Sequence, residues 1–240
     1  MLVDSVGAMV ASTSRLALIA AVAALGACAL TAAAPVDDAA PPPEIAAIDQ
    51  ALTAARLADW ARRAEDPQGL IVAARMLNEI PFRPVELDGT GEGGEPSDRA
   101  DPSADPLSAG ALLDEARALA RGDAALLDEI AAAEAAATRG VINSPFGKGP
   151  IAAVKDVKAR ETYWFQVQAR RGEVLRVAAV GDGDTNIDLM IQDAAGTALC
   201  DDADGDHYPV CTITPARAGM LKVNIVNRGA VWTKVRILSN

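Results

Sequence analysis

The chain contains few aromatic side chains and a single histidine. Its 240 residues include three Trp, two Tyr and three Phe, although half of all residues are apolar. A hydrophobic core must therefore be built mainly from Ala, Val, Leu and Ile. The chain also lacks the GxSxG, HExxH and SxxK motifs that would give His207 a catalytic context. We therefore expect a protein that is not an enzyme.

Positive charge is also scarce. The chain has 22 Lys and Arg residues against 33 Asp and Glu residues, which gives a formal net charge of -11. Nucleic-acid binding needs a basic face that displaces counterions, so this composition argues against it. Electrostatic adhesion to anionic lipid is disfavoured for the same reason.

The one long uncharged run lies near the N-terminus. Arg15 precedes residues 16–34, which carry no charge and end in small residues. This pattern predicts an export signal peptide over residues 1–34, with Met9 as an alternative start, followed by a Pro-rich acidic linker over residues 35–43. A retained anchor is the alternative. We expect an exported protein, periplasmic or tethered to the outer membrane of a bacterium.

A possible lipidation site lies inside this run. Leu25-Gly-Ala-Cys28 resembles a bacterial lipobox, in which the cysteine becomes the lipidated first residue of the mature protein. Lipidation of Cys28 with several acyl chains would anchor the protein stably and would be its only membrane contact. The alternative is cleavage by the ordinary signal peptidase near Ala33 or Ala34.

Two cysteines remain once Cys28 is set aside. Cys200 and Cys211 bracket an acidic loop, and an even pair in an exported chain predicts a disulfide. A loop of this size would stabilise the fold by roughly 2–3 kcal/mol. Two reduced, buried thiols are the alternative; metal ligation is disfavoured because the chain has no CxxC spacing.

Residues 44–140 are rich in Ala and have apolar residues at helical spacing, which predicts a helical domain. Apolar spacing and the restarts at Asp66-Pro67 and Asp123 predict helices over residues 44–65, 67–79, 108–121 and 124–138. The two helical pairs form either a degenerate hairpin repeat or a plain four-helix array. Residues 85–106, rich in Gly, Pro, Asp and Ser, predict a disordered acidic loop.

Residues 141–240 have a different pattern, with short runs in which apolar and polar residues alternate. Eight strands are predicted, over residues 151–158, 162–169, 174–180, 187–192, 197–200, 210–214, 221–227 and 231–238. Eight strands separated by Gly turns are typical of a jelly-roll-like sandwich. The predicted fold class is thus α+β in two segregated parts, with N-terminal all-α hairpins and a C-terminal all-β sandwich.

Four motifs in this region carry a family resemblance. Glu161-Thr-Tyr-Trp-Phe, Arg171-Gly172-Glu-Val-Leu, Asp188-Leu-Met-Ile-Gln-Asp-Ala-Ala-Gly and Ala218-Gly-Met-Leu-Lys-Val follow in order. Together they resemble the bacterial pre-peptidase C-terminal domain over about residues 150–240, although Met220-Leu221 replaces a common aromatic residue and the cysteine pair is an addition. The resemblance implies an exported, non-catalytic accessory domain, of which some relatives bind Ca²⁺ or carbohydrate.

Two acidic stretches are candidates for a calcium site. Asp182 and Asp184 alternate along one stretch, and Asp202, Asp204 and Asp206 crowd the other. Calcium takes six to eight oxygen ligands from a flexible chain, and these five side chains could supply several if the stretches met. The alternative is that the aspartates only form turns.

The aromatic residues near the sandwich allow two interpretations. Trp164, Trp232, Tyr163 and Tyr208 could form a stacking platform for sugars, or most of them could belong to the core. Strand alternation places Tyr163 and Phe165 on one face and Trp164 on the other.

The sequence as a whole favours a non-enzymatic envelope protein, a lipoprotein if Cys28 is modified, that acts through contacts with an unidentified protein partner. The helical hairpins would supply the binding surface and the sandwich would present it. The alternative is a module that binds Ca²⁺ or carbohydrate.

Overall fold

A computed structural model describes residues 42–97, 105–140 and 148–240, with no side-chain description for residues 137–140. The predicted signal peptide, Cys28 and most of the predicted linker lie outside these residues. Within them, helices occupy the N-terminal part and two five-stranded sheets the C-terminal part. The predicted fold class is confirmed. No helix among the described residues is both long and apolar enough to cross a membrane.

In the part of the chain that the structure describes, four helices form where the sequence predicts them. Their bounds are Pro43–Ala64 (α1), Pro67–Asn78 (α2), Ala109–Leu119 (α3) and Ala124–Gly140 (α4). The side chain of Asp66 accepts a hydrogen bond from the Gln68 amide at the start of α2, and the carboxylate of Asp123 accepts from the Ala125 amide at the start of α4. Both aspartates are therefore the N-caps that the sequence predicts.

Ten strands among the described residues form two sheets. The bounds are Arg83–Pro84 (β1), Gly89–Glu95 (β2), Ile151–Val157 (β3), Ala159–Ala169 (β4), Leu175–Gly181 (β5), Ile187–Gln192 (β6), Ala198–Asp202 (β7), Val210–Ile213 (β8), Gly219–Asn227 (β9) and Thr233–Ser239 (β10). Sheet A has the order β1-β3-β10-β5-β8, and sheet B has the order β2-β4-β9-β6-β7. The eight predicted strands correspond to β3–β10.

Strands β3–β10 pair as nested hairpins. The inner pair is β6 with β7, and β5 with β8, β4 with β9 and β3 with β10 enclose it in turn. Consecutive pairs alternate between sheet B and sheet A. This is the connectivity of a jelly roll, as the strand count and turn spacing predict.

Two hydrophobic clusters divide the molecule into three layers. The first cluster lies between the helices and the outer face of sheet A; it includes Ile48, Leu52, Leu70, Ile71, Leu112, Leu113, Ile130, Ala152, Ala178, Val180 and Leu238. The second lies between the sheets and includes Phe165, Val177, Ile187, Leu189, Ile191, Val223, Ile225, Val235 and Ile237. The helices therefore cover one face of the sandwich, with sheet B on the far side of it.

The prediction of a disordered loop over residues 85–106 is wrong for its first part. Gly89–Glu95 is strand β2, which pairs antiparallel with β4, and β1 just before it pairs parallel with β3. Strand β2 has no apolar residues, and it is held by backbone pairing with β4 and by contacts of Glu92 with Trp164 and of Glu95 with Arg160. Residues 98–104 lie outside the described residues, as does the predicted boundary near residue 141.

Candidate functional site

The disulfide predicted between Cys200 and Cys211 is present. It joins β7, an edge strand of sheet B, to β8, an edge strand of sheet A, with the two Cα atoms 5.8 Å apart. The bond therefore links the two sheets as well as closing the acidic loop of residues 201–210. The sequence predicts the pairing, but only the jelly-roll connectivity explains why it joins the two sheets.

Two aspartates hold the acidic loop in shape. Asp202 accepts a hydrogen bond from the Val210 amide through Oδ2, and Asp206 accepts one from the Tyr208 amide through Oδ1, each at 2.7 Å. Backbone bonds from Gly181 to His207 and from Ile187 to Asp206 fix the loop to the neighbouring strands. These bonds are those expected if Asp202 and Asp206 form turns, which is the alternative to calcium binding given by the sequence.

Asp59 on α1 connects the helices to this loop. Its Oδ2 atom lies 2.7 Å from His207 Nε2 and also accepts a hydrogen bond from the Tyr208 hydroxyl. Its Oδ1 atom accepts a bond of 3.0 Å from Arg62. One carboxylate therefore satisfies three polar groups at the boundary between α1 and the sandwich.

The electrostatics of this cluster favour an ionised carboxylate. Burial alone would raise the pKa of Asp59, but the hydrogen bonds from His207 and Tyr208 and the charge of Arg62 outweigh it and lower the pKa to about 2. Burial raises the pKa of Tyr208, and the bond to Asp59 raises it further. Asp59 therefore acts as a fixed anion that holds the loop, and Tyr208 as a fixed donor.

A polar pocket of about 450 Å³ lies between α1 and the acidic loop. Four carboxylates line it, together with two arginines; the charged groups are Asp49, Asp202, Asp204, Asp206, Arg56 and Arg176. Arg176 forms an ion pair with Asp49 and donates to the Thr212 hydroxyl at 3.0 Å. The pocket is therefore built jointly by the helices and the sandwich, with an excess of negative charge.

The five predicted calcium ligands do not share one pocket. Asp202, Asp204 and Asp206 line the polar pocket, whereas Asp182 accepts hydrogen bonds from the Thr233 hydroxyl and the Lys234 amide. Asp184 is exposed in the turn that follows Asp182. Across residues 42–97, 105–140 and 148–240, no group of three or more His, Cys, Asp or Glu side chains has an arrangement suited to a metal ion. Calcium binding stays a prediction.

The aromatic residues do not form one platform. Tyr163 and Phe165 lie in the cluster between the sheets, whereas Tyr208 packs into the cluster beneath the helices. Trp164 lies on the opposite face of β4, donates to Glu92 at 2.6 Å and is covered by the Lys222 ammonium, 4.5 Å from the ring centroid. The predicted alternation of Tyr163, Trp164 and Phe165 is confirmed.

An aromatic residue is exposed on the helical face. Trp60 is 50% exposed, although its helical spacing predicts a place with the apolar residues of α1. One edge of its ring lies near Gly69 on α2, where an added Cβ would be 3.4 Å from Trp60 Cζ3. Val72, one turn further along α2, is 45% exposed. We call Trp60, Gly69 and Val72 the hairpin patch.

A second apolar surface lies at one end of the sandwich. A groove of about 840 Å³ runs between the β6–β7 turn and the β8–β9 connection. Leu199 and Met220 line it, and each side chain is 42% exposed. Asp193 and Arg217 are the charged residues at its walls.

The fold and the site together define a disulfide-stabilised jelly-roll sandwich covered on one face by helices. No protein-family model matches the chain, and no curated protein matches it. The pre-peptidase C-terminal resemblance therefore stays a prediction.

Three solved structures have some likeness to the chain. One is a de novo designed double-stranded β-helix, with 15% identity and a TM-score of 0.25 over 37% of this chain and 97% of its own. The second is PliG of Aeromonas hydrophila, a periplasmic inhibitor of g-type lysozyme, with 13% identity and a TM-score of 0.27 over 38% of this chain and 84% of its own.

The third is the enzymatically active domain of tailspike protein 4 of bacteriophage CBA120. It has 13% identity and a TM-score of 0.26 over 36% of this chain and 15% of its own. All three likenesses cover little more than a third of the chain at low identity, so they carry no argument about what this protein does.

Proposed function

We propose that the protein is a non-enzymatic, exported envelope protein that binds another protein through the hairpin patch. The observation that carries the proposal is the half-exposed side chain of Trp60 on a helical surface. Tryptophan is a rare residue in this chain, and a Trp on an exposed face is the residue type most enriched where binding energy concentrates.

The surroundings of Trp60 support this role. One edge of the ring lies next to Gly69, so Trp60 borders both helices of the hairpin. Gln68 and Arg75, which flank Val72 along α2, approach Glu129 of α4 at 3.4 and 3.8 Å. An apolar centre with a polar border is the usual anatomy of a protein–protein interface.

The chemistry of the histidine supports a role without catalysis. His207 points at Asp59, which also accepts from Tyr208 and Arg62, so the carboxylate is committed to structural bonds. A catalytic base of the Asp–His type needs a nucleophile within hydrogen-bond reach of the second ring nitrogen. We assign His207 a structural role, as the link between the acidic loop and α1.

The disulfide supports export, because such bonds persist in oxidising compartments. Lipidation at Cys28 is the finer part of the proposal. Metabolic labelling with a palmitate analogue tests it: the protein should be labelled and the Cys28→Ser variant should not. Labelling of neither would leave an exported protein without a lipid anchor.

Site-specific photocrosslinking in intact cells tests the protein-binding role. A photoreactive amino acid at position 60 should capture one protein of defined mass. The same residue at position 174, where Val174 is 38% exposed on a turn of the sandwich, is the control. Capture at both positions, or at neither, would contradict the proposal.

A second candidate function is calcium binding at the polar pocket, because Asp202, Asp204 and Asp206 line one cavity. Calcium that binds only the native state would raise the melting temperature as its concentration exceeds the dissociation constant. The rise should be lost in Asp204→Asn and kept in Asp184→Asn, which lies outside the pocket. An equal response of both variants, or no rise at all, would count against this site.

A further inference from the structure

Strand β2 leaves a long sheet edge open. Among the described residues it pairs only with β4, so the backbone groups on its other side have no strand partner. An unpaired edge is a template for an added strand.

The other edges are protected. β1 is two residues long. β7 and β8 are joined by the disulfide and by the bond from the Val210 amide to Asp202, so each edge faces the other. Of the edges formed by the described residues, β2 alone combines length with an open side.

The glycines of β2 decide how much of its edge is regular. Gly89 and Gly91 lie against β4, where an added Cβ would be 2.6 Å from the Trp164 backbone oxygen and 1.9 Å from Glu161 Oε1, respectively. Gly93 and Gly94 have positive φ angles of 77° and 93°, and Gly94 has no register partner on β4. The regular part of the edge is therefore Gly89–Glu92, long enough for a short extended segment.

The charged side chains of strand β2 and of the residues just before it are all negative; of these, Glu95 pairs with Arg160 and Glu92 accepts a hydrogen bond from Trp164. Glu86, Asp88, Glu92 and Glu95 are all exposed, and residues 84–97 contain no Lys or Arg. Like charges placed opposite each other destabilise strand pairing, which disfavours pairing between two copies of this edge. A strand that carries Lys or Arg would instead meet complementary charge.

We propose that the free edge of β2 binds an extended basic segment of a partner protein, which adds a sixth strand to sheet B. Backbone hydrogen bonds along Gly89–Glu92 supply the pairing, and the exposed carboxylates of Glu86 and Asp88 select basic side chains. This edge is separate from the hairpin patch, so the inference stands or falls independently of the proposed function.

Hydrogen exchange of the purified protein with synthetic peptides tests the inference. A short peptide of alternating Lys and Val should slow amide exchange within residues 89–92 by about tenfold at saturation, because those amides exchange only while the peptide is absent. The same peptide N-methylated at every residue keeps its charge and loses the backbone donors of both strand edges, so it should give no protection. Equal protection by both peptides would overturn strand addition.

Charge reversal provides the second arm. Glu86→Lys combined with Asp88→Lys should weaken binding of the Lys-Val peptide and create binding of a Glu-Val peptide. The matched control reverses two exposed charges elsewhere, Asp128→Lys and Glu173→Lys, and should change neither. An unchanged preference in the Glu86/Asp88 variant would overturn the charge selection.

A second copy of the chain is the remaining candidate to occupy the edge of β2. Concentration-dependent protection of residues 89–92 without any peptide, together with a dimer in sedimentation, would show that a second copy occupies the edge and would overturn the inference.

Discussion

His207 Nε2 lies 2.7 Å from the carboxylate of Asp59, which is 148 residues earlier in the chain. The bond joins the acidic loop of the sandwich to helix α1, and the Tyr208 hydroxyl donates to the same carboxylate oxygen. One side chain therefore links the acidic loop to helix α1.

This bond predicts a pH-dependent contribution to stability. The pKa of Asp59 falls from 3.8 to about 2 on folding, so the ionised carboxylate stabilises the native state by about 2 kcal/mol above pH 4. The contribution should disappear as the pH falls through the folded pKa near 2. Urea unfolding of Asp59→Asn should show a deficit at pH 6 that narrows towards pH 2.

The exposed carboxylate of Asp114 on α3 provides the control for this experiment. Its bond to Arg117 lies at the surface, where ion pairs contribute little. Asp114→Asn should therefore unfold like the parent protein across the same pH range. A deficit in Asp59→Asn that is equal at pH 6 and pH 2 would show that the carboxylate charge is not the cause.

The disulfide predicts a loss of stability on reduction. Cys200–Cys211 closes a short loop and joins the edges of two sheets, so its removal should cost about 2–4 kcal/mol. Thermal unfolding with and without reductant measures this directly. An unchanged melting temperature, with free thiols confirmed by alkylation, would contradict the structural role.

The surroundings of Gly89 leave no room for a side chain. A Cβ there would lie 2.6 Å from the backbone oxygen of Trp164 and 2.4 Å from the Tyr163 hydroxyl. Gly89→Ala should therefore destabilise the protein by about 1–3 kcal/mol, because β2 must move away from β4. The matched control is Gly219→Ala, where an added Cβ meets nothing within 4 Å. Equal unfolding free energies for the two variants would be inconsistent with the observed register.

Much of the fold is predictable from the sequence because each element carries its own signal. Caps such as Asp66 and Asp123 mark helix starts, and alternation along β3–β10 marks strands. Strand β2 has no such signal: Gly89–Glu95 is held by pairing with a strand about seventy residues away, and local composition cannot show that.

The candidate site was less predictable. The aspartates of the acidic loop are visible in the sequence, yet the carboxylate that joins the loop to the helices is Asp59, an ordinary polar position on α1. Trp60 has the spacing of a core residue, and its exposure depends on where α2 crosses α1 at Gly69. Both features arise from tertiary packing rather than from a local pattern.

The binding energy of Trp60 tests the central claim most directly. With the protein captured at position 60 in hand, its affinity should be measured for the parent chain, for Trp60→Ala and for Val174→Ala as an exposed apolar control. A binding role for the hairpin patch predicts that Trp60→Ala alone loses about 2 kcal/mol or more of binding free energy, roughly thirtyfold in affinity. Equal affinity for all three proteins would contradict a binding role for the hairpin patch.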